Sequence, residues 1–203
     1  MLLLFRFPFV ALEYTTSVFW ILEVVSMKKS LTYWQTVGFF FVSVVGTLLH
    51  FLFDWSGESP LVALFAPVNE SVWEHMKLML WPMAVFALAE YRSIGKEIGR
   101  FWCAKLKGLL TALALIPAVY YIYTGDLGTH WMLFDIAIFF LATGAGFWVE
   151  TRTLTQGKPC RIPNKVAAGL IVLILVVFAL VTFLPPQIPL FQDPLSGGYG
   201  FQG

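Results

Sequence analysis

The feature that most constrains this chain is its recurring apolar runs, each long enough to cross a bilayer. A membrane-spanning helix needs about 20 mostly apolar residues. Five runs meet that length: Trp34 to Phe53, Ser71 to Tyr91 with Pro82 as an internal kink, Phe101 to Tyr123, Thr129 to Val149, and Val166 to Leu184. Only 12% of the 203 residues are charged and 59% are hydrophobic, too little polar surface for a water-soluble domain. A net charge of +1 with no basic patch excludes a nucleic-acid partner. The predicted fold class is all-α: a polytopic transmembrane helical bundle whose partner is the lipid bilayer, with a homo-oligomer left open.

Three segments follow. Residues 1–26 form an apolar extension broken by Arg6, Glu13 and Glu23. Met27-Lys28-Lys29-Ser30 reads like a bacterial start, so this extension is upstream sequence, a signal-like segment or an extra helix. Residues 27–184 carry the spans. Residues 185–203 form a Pro- and Gly-rich tail whose Ile188, Leu190 and Phe191 predict folding back over the outer mouth. Pro60 to Ala66 is apolar but too short to cross, which predicts a short re-entrant or interfacial helix before Pro67.

Lys and Arg mark the cytoplasmic side of a membrane protein. They occur before the first span (Lys28, Lys29), between the second and third (Arg92 to Lys107) and between the fourth and fifth (Arg152 to Lys165). The alternate connections and the tail hold none. This predicts a plasma membrane protein of a prokaryote with the Lys28 end cytoplasmic and the tail outside. Cys103 and Cys160 then lie on the reducing side, where free thiols are expected.

The remaining polar residues gather at the other side. His50 and Asp54 end the first span. Asn69, Glu70, Ser71, Glu74 and His75 open the second. Asp126, His130 and Asp135 open the fourth. Spacings of i, i+4 put His50 with Asp54, Glu70 with Glu74, and Ser71 with His75 on shared helix faces. Imidazole and carboxylate together bind zinc or another divalent metal, and a neighbouring acid can serve as general base. The candidate metal ligands are therefore His50, Asp54, His75 and His130. The candidate catalytic groups are Glu70, Ser71, Glu74 and Asp135.

Plainer roles stand beside these. Ser71 and Glu74 form a capping box, Asp54, Glu58 and Asp126 suit a wet loop, and a lone His50 suits packing. Lys77 reads as the one deep cation, pairing with Glu74 or Asp135. Glu150 reads as interfacial beside Arg152. Trp34, Trp73, Trp81, Trp131 and Trp148 read as belt anchors, and Ala142-x-x-x-Gly146 as a small-residue packing face.

The stretch FAPVNESVWEHMKLMLWP resembles the signature of an uncharacterised prokaryotic family of small multi-pass membrane proteins. HFLFDWSGESPLVALFAP and PLFQDPLSGGYG are similar to that family as well. The resemblance covers Met27 to Gly200, implies the multi-span fold and brings no activity with it. Ser71-x-x-x-His75 and Asp135 also resemble, in motif alone, the zinc hydrolases of the alkaline ceramidase and progestin-receptor-like superfamily. The late His-x-x-x-His pair of that superfamily is missing here, and the spans are fewer.

Three functions fit these residues. The first is a metal-dependent membrane hydrolase acting on a lipid or amphiphile from the outer side. The second is a proton or small-cation transporter or channel using Glu70, Glu74 and Asp135. The third is a non-catalytic scaffold or accessory subunit. An inner half without matching polar groups argues for a one-sided site over a path.

Overall fold

A computed structural model describes residues 7–156 and 160–201, with side chains from Ser30 onward. The expectations for residues 1–6 and for Lys158 lie outside these residues. Five α-helices and no strands are found among them. They are α1 (Phe7–Trp55), α2 (Val72–Ser93), α3 (Phe101–Leu127), α4 (Met132–Thr155) and α5 (Asn164–Val181). The apolar extension is thus continuous with the first span from Phe7 onward, rather than a separate helix. Ser30–Trp55, α3, α4 and α5 are each long and apolar enough to cross a membrane. Leu133, Leu141, Leu180 and Leu184 are strongly exposed, as lipid-facing side chains of a membrane bundle are.

α2 differs in kind. Twelve of its 22 residues are buried, and these include Glu74, Lys77 and Glu90. It packs against α1, α3 and α5, while α3 pairs closely with α4. Interior position explains its composition, because an ionisable group at membrane depth persists only where other protein groups satisfy it.

Close crossings depend on missing side chains. Pro82 lies inside α2 and has no N–H, so the Leu78 carbonyl one turn earlier loses its helical donor. α1 approaches at that point through Gly46, where a Cβ would stand 2.4 Å from the Leu78 oxygen. α3 meets α4 through Gly108, where a Cβ would stand 2.7 Å from the Gly146 oxygen. Ala142, Thr143 and Gly146 of α4 are buried, so the small-residue face does pack a helix.

Two buried ion clusters tie the bundle. In the first, Lys77 donates to Glu74 at 2.6 Å and to the carbonyls of Ala63 and Ala66 at 2.8 and 3.3 Å. Glu74 also accepts from the Val68 amide at 3.1 Å and the Thr182 hydroxyl at 3.0 Å. The short helix expected before Pro67 is present. It is a single 3-10 turn, Val62–Leu64, and Lys77 holds the carbonyls of Ala63 within it and Ala66 just after it.

The second cluster corrects three expectations. Lys105 donates to both Glu90 and Glu150 at 2.5 Å, and Gln35 donates to Glu90 at 2.8 Å. Lys77 is not the one deep cation, Glu150 is not interfacial, and the Lys105 end of the bundle is not without polar groups.

The expected free thiols are also overturned. Cys103 and Cys160 form a disulfide. The Asn164 side chain at the start of α5 accepts from the Cys103 amide at 3.2 Å, which brings the segment before α5 onto the start of α3.

Candidate metal and ligand site

The loop before α2 ends in a turn that presents side chains inward. Asn69 accepts from the Ser71 amide at 3.0 Å, an Asx turn. Ser71 then caps α2 by accepting from the Glu74 amide at 3.3 Å. Glu70 precedes the helix, so its side chain is free of helical spacing and swings to the His75 side. His75 stands 3.3 Å from Glu70, and the His50 ring of α1 lies 5.2 Å from the His75 ring, centre to centre. Ligand atoms of His50, Glu70 and His75 all fall within 4.8 Å of one another.

The hydrogen-bond pattern defines what this triad lacks. His75 Nδ1 lies 3.1 Å from the Ser71 carbonyl oxygen, which only accepts, so Nδ1 carries the hydrogen. In the neutral ring, Nε2 then offers a lone pair, and it faces the Glu70 carboxylate. Two acceptors face each other, and a proton or a metal ion between them satisfies both. His50 Nδ1 is buried without a hydrogen-bond partner among the described residues.

The triad forms part of the wall of a cavity of about 650 Å³. His130 and Asp135 also line it. Asp135 accepts a short hydrogen bond from the Tyr123 hydroxyl and lies 3.3 Å from His130 Nδ1. Much of the remaining lining is apolar, including Phe51, Leu78, Ile116, Ile138 and Phe139.

Five of the residues singled out from sequence thus line one cavity: His50, Glu70, His75, His130 and Asp135. Within it, His130 sits with Asp135 rather than with the triad, and Glu70 stands with the two other histidines. Asp54 is exposed and outside the triad. Ser71 and Glu74 are buried and engaged in the cap and in the Lys77 cluster. Tyr123 was not singled out, and its signal is weak: a tyrosine near the end of one apolar run, facing an acid early in the next.

The tail closes this end. Phe191 packs at 4.7 Å on Trp73, which stacks at 3.9 Å on Phe178 of α5. Trp73 is therefore an internal clamp and not a belt anchor. Pro194 and Leu195 line the cavity. Asp193 is buried and accepts from the amides of Leu195 and Ser196, the Ser196 hydroxyl and the Glu70 amide.

Burial alone would raise the Asp193 carboxyl, but these donors hold it below its ordinary 3.8. Its ionisation therefore stabilises the docked tail fully above about pH 4, and that support is lost as pH falls through the lower folded value. Hydrogen exchange of the 193–198 amides should stay flat from neutrality to about pH 4, after correction for intrinsic rates, and accelerate below it. Asp193→Asn should weaken docking by about 1.5–3 kcal/mol at neutral pH, since the lost bonds are to a charged group.

A sequence profile for a family of unknown function, DUF6512, matches residues 24–201. The chain belongs to the DUF6512 family. No curated protein and no solved structure matches it. The DUF6512 match includes every residue of the triad, Asp135 and His130 of the same cavity, and both buried ion clusters.

Proposed function

We propose that this protein is a membrane-embedded, metal-dependent hydrolase that acts on a lipid or other amphiphile from the outer face of the plasma membrane. The observation that carries this reading is the His50–Glu70–His75 triad on the wall of a largely apolar cavity. Two imidazoles and one carboxylate form the ligand set of a catalytic zinc site, which keeps a further position for water. A metal held by these three residues would lower the pKa of a bound water and act as a Lewis acid.

His75 is already oriented for this role by the Ser71 carbonyl, as ligand histidines are oriented by the partner of their second nitrogen. Asp135 would take the proton from the attacking water and return it to the leaving oxygen. Tyr123 and His130 hold that carboxylate in place. The apolar lining would take the acyl chain of the substrate.

Metal content measured by elemental mass spectrometry on gently purified protein tests this. About one divalent ion per chain is expected, lost in His75→Ala and in His50→Ala with the helix content unchanged. Binding should also weaken toward acid pH, since protons compete for the imidazoles. Protein that stays empty after incubation with zinc overturns the metal reading. Retained metal with no hydrolysis of a panel of ester, amide and phosphodiester lipids overturns the hydrolase reading alone.

One observation favours a second reading, a proton or small-cation transporter. Buried polar groups occupy both ends of the bundle, at Glu74 and Lys77 and at Lys105. Between them Val42, Met79, Met83 and Ala112 pack as apolar core. Ion flux into proteoliposomes by protein that holds no metal would place this reading first.

A further inference from the structure

At the end of the bundle away from the cavity, four helices each send one polar side chain inward. Gln35 comes from α1, Glu90 from α2, Lys105 from α3 and Glu150 from α4, and their exposures are 6%, 0%, 4% and 1%. Lys105 bridges the two acids at 2.5 Å each, with the Phe101 and Phe147 rings beside its ammonium. Of the other charged groups at this end, Arg92 of α2, Lys107 of α3 and Lys165 of α5 are exposed, and Arg152 of α4 lies over Trp148.

The charges do not balance. Two ionised carboxylates around one ammonium leave a net negative charge in an interior shielded from water, which is far more costly than neutralising one acid. A second, independent feature points to the same deficit. Gln35 Oε1 is buried and has no hydrogen-bond partner among the described residues, although its Nε2 donates to Glu90 Oε1. Turned over, the Gln35 amide would accept a hydrogen from a protonated Glu90 at that same place.

We propose that the Gln35–Glu90–Lys105–Glu150 cluster is a proton-binding site, holding one proton shared between Glu90 and Glu150. With the proton on Glu150, Gln35 donates to the Glu90 carboxylate. With the proton on Glu90, the amide turns and accepts it. Lys105 holds the two acids together in both states. A groove between α1 and α4, of about 290 Å³, reaches Gln35 past Thr32, Thr36 and Thr151, with Phe39, Phe147 and Trp148 also in its lining, and gives the proton a way in. This site stands apart from the cavity and does not depend on the hydrolase reading.

Infrared spectroscopy of the full chain in lipid tests the proposal through the carboxylic-acid C=O band, identified by its shift in deuterated buffer. The wild type should show such a band at neutral pH. Glu150→Gln and Glu90→Gln should each abolish it, since the remaining acid is balanced by Lys105. Gln35→Leu should keep the band and slow its deuteration at least tenfold.

Thermal unfolding gives a second readout. The folded cluster holds a proton that the unfolded acids release, so the wild-type Tm should fall as pH rises toward and above neutrality. The Glu150→Gln slope should be flatter. Absence of the band in the wild type, or its persistence in both Gln variants, overturns the proposal. A Tm that follows sodium or potassium concentration instead of pH assigns the site to a metal cation and overturns it equally.

Discussion

Replacing Lys77 with methionine is expected to destabilise the protein by about 3–5 kcal/mol, the range for breaking a buried ion pair by removing one partner. The size follows from what the ammonium satisfies. Its three hydrogens serve Glu74, the Ala63 carbonyl and the Ala66 carbonyl, and the side chain is fully buried. Methionine fills the same space but leaves a buried carboxylate and two buried carbonyls without their shared donor. The segment from Ser59 to Asn69 should loosen with it, because Lys77 holds that segment to α2. The double variant Lys77→Met, Glu74→Gln removes the stranded charge and should recover part of the loss. Chemical unfolding in detergent checks both. A single variant within about 0.5 kcal/mol of wild type would show that the pair is not an anchor.

Gly46→Ala should strike the fold and the site together. Its Cβ would stand 2.4 Å from the Leu78 carbonyl oxygen and 2.8 Å from the Phe139 ring. The ring can move, but the oxygen belongs to α2 backbone, so α1 must retreat. Overpacking of this kind costs about 1–3 kcal/mol, against the few tenths to 1 kcal/mol that alanine otherwise gains over glycine in a helix.

The retreat carries His50, one turn further along α1, away from His75. Metal affinity should therefore fall along with Tm. Gly169→Ala in α5 is the matched control. Nothing lies within 4 Å of its Cβ, so that change should be neutral or stabilising by up to about 1 kcal/mol. Equal effects of the two substitutions would show that close approach at Gly46 does not matter.

How far the sequence reveals this molecule depends on whether depth is written in it. Apolar runs are a direct record of lipid-facing surface, so the helices and the packing face at Ala142 and Gly146 are legible. His50 and His75 are legible as a group because both sit at the same end of their runs. Glu70 is harder: it lies one residue before the Ser71 cap, so helical spacing pairs it with Glu74, whereas the turn at Asn69 aims it at His75.

The Lys105 cluster is not legible from charge. A lysine near a span end and a glutamate beside Arg152 look like interfacial residues, because nothing in hydropathy separates a snorkelling side chain from one that points inward. A subtler signal is present. Gly108 follows Lys105 by three positions and Gly146 precedes Glu150 by four, so each charge lies next to a residue too small to keep a neighbouring helix away. The Cys103–Cys160 disulfide is hidden because side-of-membrane reasoning about redox conditions carries no information on distance.

α2 imposes an order on how this chain can be made. Glu90 needs Lys105, and both need Glu150 on α4. Glu74 needs the Thr182 hydroxyl, 108 residues further along the chain. When α2 leaves the ribosome none of these groups has yet emerged, and its four charges, Glu74, Lys77, Glu90 and Arg92, resist transfer into lipid alone. α2 can therefore settle only after the later helices arrive, and the cavity end is complete only when the last of them has been added. A chain halted before Thr182 would hold every ligand of the triad and still lack the hydroxyl that closes the knot beneath it.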